Sequence, residues 1–248
     1  MKRLKTYKQL FEVKIGLAVH MMVYNNEFEK LQDYLDNGGD INILNNQNNN
    51  LLHTAAFYNN IEMCKFLINN DIDINSVCLS SLLIGDSNDR HYDVIKYLLG
   101  NGIDIYNKCS IYYKPVLCYI SKSPKTTQLL IDYGIALDDV DEYKQTALNW
   151  AVMNNRLDVV KILINAGADY NHIDNDGTNC LFSIKYGHSV ELIKYLINVG
   201  VDYNHVDDSG EDFFDYLIDL GYQYNRLAKY SEKYQVFIKQ QKQKKFNI

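Results

Sequence analysis

Two pairs of potential metal ligands recur in the C-terminal half of the chain at a fixed spacing. His172 and Asp174 stand two residues apart, and His205 and Asp207 repeat the pattern 33 residues later. A zinc site closes four ligands at about 2 Å, whereas neighbouring structural units pack about 8–10 Å apart. Only stretched side chains would span that distance. We therefore predict no metal, and we expect these side chains to shape local turns by hydrogen bonding to the backbone.

Motifs for other chemistry are missing from the sequence. It contains no phosphate-binding loop, no His-Glu-x-x-His and no Gly-rich nucleotide turn. His20 and His53 have no Ser or Cys partner in a recognisable catalytic motif, so we expect structural roles for both. The cysteines show no paired close spacing: Cys64, Cys78, Cys109, Cys118 and Cys180. We predict reduced core cysteines, no catalytic residue and no cofactor, since an enzyme would need a pocket with titratable groups.

A recurring phrase predicts the elements that position these residues. Residues 159–171 read VVKILINAGADYN, and residues 192–204 read LIKYLINVGVDYN. Further copies begin at Lys30, Met63 and Val94, and a poorer copy begins at Thr126. Self-similarity with a period of about 33 residues indicates a stack of small units that share one core. Such a stack offers a long binding surface and no catalytic pocket.

Each copy has the pattern of an amphipathic helix followed by a turn. The apolar residues of one copy recur at helical spacing: Val159, Val160, Ile162, Leu163 and Ile164. Gly167 then ends this helix, because glycine best tolerates the left-handed conformation found there. Asp71 and Gly39 stand near the same site in two other copies. A shorter helical stretch precedes each long one, as in residues 50–56 and 146–151.

These features resemble the ankyrin repeat family, whose unit is a finger followed by two antiparallel helices. The resemblance rests on NLLHTAA at 50–56, KPVLCYI at 114–120, Gly187-His188 and Asp176-Gly177, and it covers roughly residues 15–240. It implies an all-α repeat solenoid, an ankyrin stack of about seven helix-turn-helix repeats with short β-hairpin fingers. In this family, the His at the positions of His20 and His53 bonds to neighbouring backbone.

The register divides the chain, taken as a single domain over residues 1–248, into seven repeats. Their approximate bounds are 8–41, 42–74, 75–105, 106–138, 139–171, 172–204 and 205–245. The third and fourth are the least regular, with Asp86-Ser87 in place of small residues and Lys114 in place of Thr. Gly221 resembles a repeat ending, but the register makes it an inter-helix turn between helices at 212–220 and about 225–245. We expect a capping turn at residues 7–14.

Composition excludes several classes of protein. Hydrophobic residues make up 47% and charged residues 23%, which suits a folded soluble chain. The sequence has neither an apolar run of about 20 residues nor a recognisable secretory signal. The net charge is −6 and the only basic cluster is at the C-terminal end, which argues against nucleic-acid binding. We expect a monomer that binds no membrane and resides inside the cell, in the cytoplasm.

The family resemblance implies a partner protein on the concave side, against the finger tips and the exposed end of each first helix. In the second repeat the matching positions are Asn46, Gln47, Asn49, Phe57 and Tyr58. In the fifth they are Glu142, Tyr143, Gln145, Met153 and Asn154. In the sixth and seventh they are Asn175, Asp176, Thr178, Lys185, Tyr186, Asp208, Ser209, Glu211 and Asp219.

The charges of these fingers differ along the chain. The finger at residues 45–50 is uncharged, whereas the C-terminal fingers carry many carboxylates: Asp139, Asp141, Glu142, Asp174, Asp176, Asp207, Asp208, Glu211 and Asp212. We hypothesise that a partner lays a basic segment against the C-terminal half and a neutral or aromatic-contacting segment against Phe57 and Tyr58. The alternative, that these charges are only solvated turn residues, stays open.

A second function also stays open. Ankyrin repeats resembling these can be hydroxylated at the finger Asn, so the chain could be a substrate or decoy for an Asn hydroxylase. The matching positions are Asn42, Asn75, Asn171 and Asn204. The amino-acid composition, rich in Asn, Ile, Tyr and Lys, resembles that of the ankyrin repeat proteins of giant DNA viruses of the mimivirus type. Any AT-rich genome gives such a composition, however. A viral origin would make the partner a host protein, met in the host cell cytoplasm.

Overall fold

Helix pairs recur along the chain, and from α3 onward most have a short first helix and a longer second one, as the repeated phrase predicts. The computed structural model describes residues 14–77, 79–83, 89–106, 115–119, 123–185, 187–219 and 235. Two compact units divide the chain, Met1–Tyr112 and Tyr113–Ile248, which we call unit 1 and unit 2. The prediction that residues 1–248 form a single domain stays a prediction.

Unit 1 is a stack of helix pairs. Its helices are α1 (14–24), α2 (Phe28–Asp36), α3 (Leu51–Phe57), α4 (Ile61–Asn69), α5 (Leu79–Leu83) and α6 (Tyr92–Gly100), with a 3₁₀ turn at Ile74–Ser76. The short helix α3 packs on α4, and the long helices α4 and α6 pack side by side. The long helices bury one apolar face each, through Leu67 of α4 and Leu98 of α6, for example.

Unit 2 repeats the same arrangement. Its helices are α7 (Val116–Tyr119), α8 (Pro124–Asp132), α9 (Ala147–Met153), α10 (Leu157–Asn165), α11 (Val190–Val199) and α12 (Phe213–Asp219), with a 3₁₀ helix at Cys180–Ser183. The short α9 packs against α7, α10 and the 3₁₀ helix, and α10 also packs against α8. The alternation of short and long helices in both units confirms the predicted all-α repeat fold.

Capping side chains start several of the helices, and left-handed residues follow the ends of most of them. The Asn50 side chain accepts the backbone N–H of His53 at 2.8 Å, and Thr146 forms a capping box with Asn149. Gly167 has a φ of +100° just past α10, as expected, while Asp71 occupies the same site after α4 with a φ of +62°. In the first repeat the left-handed residue is Gly38, and Gly39 instead lies against the Tyr34 ring.

The fingers differ from the β-hairpins that the sequence suggests. In the described part of the chain the only β pairing is an isolated antiparallel bridge between Val206 and Asp212. An Asp or Asn at the start of each full finger accepts backbone amides two and four residues on, as Asp141 does from Tyr143 and Gln145. These side-chain bonds replace a strand ladder, because they satisfy the amides that a hairpin would pair.

The third and sixth repeats depart from the regular unit. The third has almost no finger, since the 3₁₀ turn at 74–76 leads directly to the short α5. In the sixth, the first helix is a 3₁₀ turn whose Ile184 amide bonds the Leu181 carbonyl, and the Tyr216 hydroxyl donates to the Ile184 carbonyl at 2.9 Å. In the seventh, α12 lies within the predicted range 212–220. The predictions for residues 7–13, for Gly221, for residues 225–245 apart from 235, and for Asp86, Ser87 and Lys114 concern positions outside the described residues.

Three cysteines of the described residues lie in the core. Cys64, Cys118 and Cys180 are buried, and none of the three forms a disulfide. Burial raises the pKa of Cys64 and of Cys180 to about 12, because a thiolate is poorly solvated in the core. These thiols are therefore protonated and behave as small apolar side chains.

Candidate functional site

At the base of the fingers, an Asn or Asp side chain forms a hydrogen bond to the backbone of the next repeat. The side-chain oxygen of Asn42 accepts the backbone amide of Asp73 at 3.0 Å. Asn75 accepts the amide of Asp104 in the same way. In unit 2 the acceptors are Asp138 and Asn171, which bond the amides of Asp169 and Asp202. Three of the four Asn residues that the sequence marks as possible hydroxylation sites, Asn42, Asn75 and Asn171, thus link neighbouring repeats.

The two His-x-Asp pairs make hydrogen bonds within and between fingers. Nε2 of His172 bonds the Lys144 carbonyl at 2.8 Å, and Nε2 of His205 bonds the Gly177 carbonyl at 2.7 Å. Asp174 accepts the amides of its own turn, as Asp207 does one repeat later. Over the described ranges, no group of three or more His, Cys, Asp or Glu side chains is placed to hold a metal ion. Each imidazole therefore links one finger to the next.

An apolar groove opens in unit 1 between α1, α3 and the finger that joins the first and second repeats. Its volume is about 240 Å³. The five second-repeat residues marked from the sequence all line it: Asn46, Gln47, Asn49, Phe57 and Tyr58. The other lining residues are Leu17, His20, Met21, Tyr24, Asn45, His53 and Thr54. We call this site the aromatic groove.

Three rings define one wall of the aromatic groove. The Tyr24 and Tyr58 rings meet edge to face at 4.7 Å between centroids, and the Phe57 and Tyr58 rings do so at 5.3 Å. Each of these side chains is about half exposed, at 51% for Tyr24, 49% for Phe57 and 50% for Tyr58. The rings hold one another in place and still present apolar surface to solvent.

Sequence reasoning missed the α1 wall of this groove. Leu17, Met21 and Tyr24 recur at helical spacing and are exposed by 58%, 45% and 51%. Their opposite face, with Val19 and Val23, is the buried one. The spacing of the three residues was a signal, but an apolar stripe of this kind is ordinarily assigned to the core.

The aromatic groove is electrically neutral near pH 7. No carboxylate, ammonium or guanidinium lines it. Burial lowers the pKa of His20. Burial also lowers the pKa of His53 to about 4, with a smaller contribution from the charge of His20. The His20 imidazole is held by the Thr54 hydroxyl at 2.6 Å and the Ile43 carbonyl at 3.3 Å. Both rings are therefore uncharged and the surface takes no ionic partner.

A more polar pocket of about 250 Å³ lies among the fingers of unit 2. Five residues marked from the sequence line it: Gln145, Met153, Asp176, Thr178 and Lys185. Sequence reasoning missed the neighbouring Phe182, Ser183 and Tyr216, which come from the 3₁₀ helix and α12. The register could not reveal them, because it predicts an α-helix where the 3₁₀ helix lies.

Not all of the finger carboxylates face solvent, which corrects the sequence-based description of an acidic C-terminal half. Asp141 and Asp174 are buried, at 5% and 8% exposure. Asp141 accepts two backbone amides and the Trp150 indole N–H, and Asp212 accepts the first amides of α12. These carboxylates stabilise the local backbone by accepting its amides, so they are not available to bind a partner.

The remaining carboxylates form an exposed acidic set on the unit 2 fingers: Asp139, Glu142, Asp176 and Asp208, with the partly exposed Glu211. We call this set the acidic fingers. The negative charge of Asp219 raises the pKa of Glu211, with further contributions from burial, Asp207 and Asp215. The like charges around Glu211 repel one another, so a cationic group placed there would be stabilised.

The other marked residues are placed as follows. Tyr143 is 57% exposed, and Ser209 lies exposed on the last finger. The amide groups of Asn154 and Asn175 donate to the carbonyls of Trp150 and Glu142, so both take part in the fold. Tyr186 lies outside the described residues. None of the helices in the described ranges has both the length and the hydropathy needed to span a bilayer.

Solved structures share this fold. The ankyrin repeat domain of Bcl-3, a member of the IkappaB family, matches with a TM-score of 0.64 at 17% identity, over 82% of this chain and 96% of that one. The human ASB11 ankyrin repeat domain matches with a TM-score of 0.63 at 18% identity, over 80% and 90%. At such identities the likeness concerns the fold alone.

Sequence relatives come from viruses. An ankyrin repeat protein of Acanthamoeba polyphaga mimivirus is 30% identical over 146 residues, which is 57% of this chain and 19% of the relative. One from fowlpox virus is 31% identical over 143 residues, 54% of this chain and 32% of the relative. The chain thus spans about a fifth and a third of these proteins. The family model for ankyrin repeats (3 copies) matches residues 19–109 and 87–174, more than half of the chain. The chain belongs to the ankyrin repeat family.

Proposed function

We propose that this chain is a non-enzymatic scaffold that binds another protein through its fingers and the exposed ends of its first helices. Ankyrin repeats are generally protein–protein interaction modules. The observation that carries the proposal is the aromatic groove, where Tyr24, Phe57 and Tyr58 expose about half of their surface side by side. Clustered exposed aromatic side chains are typical of protein interfaces, because they bury a large area at low entropic cost.

The acidic fingers support a basic segment as the second part of the partner. Glu142, Asp176 and Asp208 are exposed on three successive fingers, and Glu211 lies beside further carboxylates. A Lys or Arg side chain placed there would relieve the repulsion between these groups. Exposed pairs contribute little individually, so this surface serves orientation and association rate more than affinity.

The setting of the partner is part of the same proposal. Both sequence relatives are viral, which supports a host protein as the partner and the interior of the host cell as the place of binding. We propose that the chain binds it as a monomer, since each surface described lies within one copy of the chain.

A charge-reversal pull-down tests the acidic fingers. The variant carries Asp176→Lys, Asp208→Lys and Glu211→Lys, and its matched control carries Glu29→Lys, Asp132→Lys and Glu191→Lys, three acidic residues on second helices. We expect the first triple variant to lose the partner and the control to retain it. If the finger variant binds the partner as well as the wild type does, the finger charges are only solvated turn residues without a role in binding.

The alternative function, a substrate or decoy for an Asn hydroxylase, stays a prediction. Asn42, Asn75, Asn171 and Asn204 are all exposed, each two residues after an Asp that accepts its backbone amide. Mass spectrometry after incubation with such a hydroxylase separates the two functions. Addition of one oxygen atom to these residues, without any stably bound partner, would favour the alternative.

A further inference from the structure

We propose that the aromatic groove receives an extended, uncharged peptide segment of the partner. One proline or aromatic ring of that segment seats against Tyr24, Phe57 and Tyr58, and its backbone bonds to the amide side chains of Asn46 and Gln47. This inference rests on the proposed scaffold function and specifies the conformation and chemistry of what the groove binds.

The size of the aromatic groove favours an extended segment over a helix. An α-helix with its side chains is about 10–12 Å across, and sites that enclose drug-sized ligands measure about 300–1,000 Å³. The groove, at about 240 Å³, has room for one or two side chains and the backbone between them. A helix would rest on the rim and leave the three rings partly unfilled.

The finger amides add a second, independent argument. The Asn45 side chain accepts the backbone amides of Gln47 at 2.9 Å and Asn49 at 3.0 Å, which fixes the turn. The side-chain amides of Asn46, Gln47 and Asn49 make no hydrogen bond within the part of the chain that is described. A helix satisfies its own backbone groups, whereas an extended or polyproline segment leaves its carbonyls unpaired. Only the extended segment can use these amides along its length.

The neutrality of the groove selects an uncharged segment. Its lining carries amides, the hydroxyls of Tyr24, Thr54 and Tyr58, apolar side chains and two imidazoles that burial keeps neutral. A Lys, Arg, Asp or Glu side chain seated there would lose hydration without gaining an ionic partner, which is costly. A basic segment would bind more favourably to the acidic fingers of unit 2, where carboxylates would pair with its charges. The two surfaces therefore differ in the chemistry that each accepts.

The rings are preorganised for a flat or cyclic side chain. Tyr58 contacts both Tyr24 and Phe57 edge to face, and Phe57 also stacks on the His53 imidazole at 6.5 Å between centroids. Proline-rich segments characteristically dock on aromatic-lined grooves, because their backbone is already extended and little entropy is lost. A ring that packs against these side chains therefore meets a surface that needs little rearrangement.

Peptide selection on the full chain tests the inference. A phage-displayed library of random dodecapeptides is selected on the immobilised chain, and enriched sequences are synthesised with capped ends for measurement of Kd. We expect uncharged sequences containing Pro or aromatic residues. Phe57→Ala or Tyr58→Ala should weaken their binding by about tenfold or more, and Asn46→Ala with Gln47→Ala by about threefold to tenfold. Tyr133→Ala removes a ring of similar exposure in unit 2 and should leave Kd unchanged.

Several outcomes would overturn the inference. These are enrichment of charged peptides alone, a helical conformation of the bound uncharged peptide by NMR, Kd values of uncharged peptides insensitive to Tyr58→Ala, or no enrichment at all. If every enriched peptide is basic and loses binding to the variant with Asp176→Lys, Asp208→Lys and Glu211→Lys, this use of the groove is excluded and the scaffold function stays intact. The scaffold function itself would fail only if the wild-type chain retained no protein from host cells.

Discussion

The side-chain oxygen of Asn171 accepts a hydrogen bond from the backbone amide of Asp202, one repeat later, at 3.0 Å. Asp138 makes the equivalent bond to the amide of Asp169 at 2.9 Å, so either an amide or a carboxylate oxygen serves. The bond lies at the base of the finger, where one repeat ends and the next begins. The Asn or Asp that ends most copies of the repeated phrase therefore provides a hydrogen bond between repeats.

Removing this hydrogen bond should lower the stability of the folded chain, whereas a substitution that keeps the acceptor oxygen should not. Asn171→Ala leaves the Asp202 amide without its partner, so we expect a loss of about 1 kcal/mol in the free energy of unfolding. Asn171→Asp keeps an acceptor oxygen and should stay within about 0.5 kcal/mol of the wild type. Urea unfolding followed by circular dichroism measures both. Equal losses for the two variants would show that the acceptor oxygen is not what matters.

Lys144 carries a side chain in a left-handed conformation where later fingers have glycine. Lys144 has a φ of +55° in the finger where Gly177 and Gly210 stand in later repeats, and glycine adopts this conformation without strain. Lys144→Gly should therefore raise the unfolding free energy by roughly 0.5–1 kcal/mol. The Lys144 carbonyl, which bonds His172, remains in place.

Lys144→Ala is the control, because alanine keeps the Cβ that causes the strain and should give no gain. The converse change, Gly102→Ala, should cost roughly 1 kcal/mol from conformation alone, since a Cβ at Gly102 would meet no atom within 4 Å. A stabilised Lys144→Ala variant would assign the effect to the lost lysine charge instead of the backbone.

Unit 1 should lose stability as the pH falls from 7 to 5. Burial lowers the pKa of His53 from 6.5 to about 4, so the unfolded chain binds a proton in this range that the folded chain does not. Stability is then fully present above the unfolded pKa and is lost as pH falls toward the folded pKa. At pH 5 this amounts to about 2 kcal/mol for His53, and burial of His20 acts in the same direction.

The variant His53→Gln checks the assignment, because glutamine does not titrate. Unfolding free energies at pH 7 and pH 5 should differ less for this variant than for the wild type. A variant whose stability falls as steeply as that of the wild type would place the pH dependence elsewhere.

The sequence predicted the repeats well because their apolar spacing recurs, and it predicted the binding surface only in part. Each long helix begins two residues before a copy of the repeated phrase and ends inside it: α2, α4, α6, α8, α10 and α11. Periodicity does not show which face of a helix stays uncovered, so Leu17, Met21 and Tyr24 on α1 escaped notice. Charge counting likewise misplaced Asp141 and Asp174, because a carboxylate that accepts several backbone amides can be buried at little cost.

The sixth repeat shows the same limit for local structure. The 33-residue register predicts a helix opened by Asn179, and Asn179 does accept the amide of Leu181. The turn nevertheless closes as 3₁₀ at Cys180–Ser183, with Tyr216 of the following repeat bonded to the Ile184 carbonyl. The residue spacing within one repeat does not predict a hydrogen bond made by a side chain of the next repeat, such as that of Tyr216.

The most direct test of the scaffold function is quantitative affinity purification from the native host cell. One bait is the wild-type chain, and a second combines Phe57→Ala and Tyr58→Ala with Asp176→Lys, Asp208→Lys and Glu211→Lys. A third, matched bait carries Tyr133→Ala, Glu29→Lys, Asp132→Lys and Glu191→Lys. We predict a host protein that is enriched on the wild-type and matched baits and lost from the second. A partner retained equally by all three baits would contradict binding through the aromatic groove and the acidic fingers.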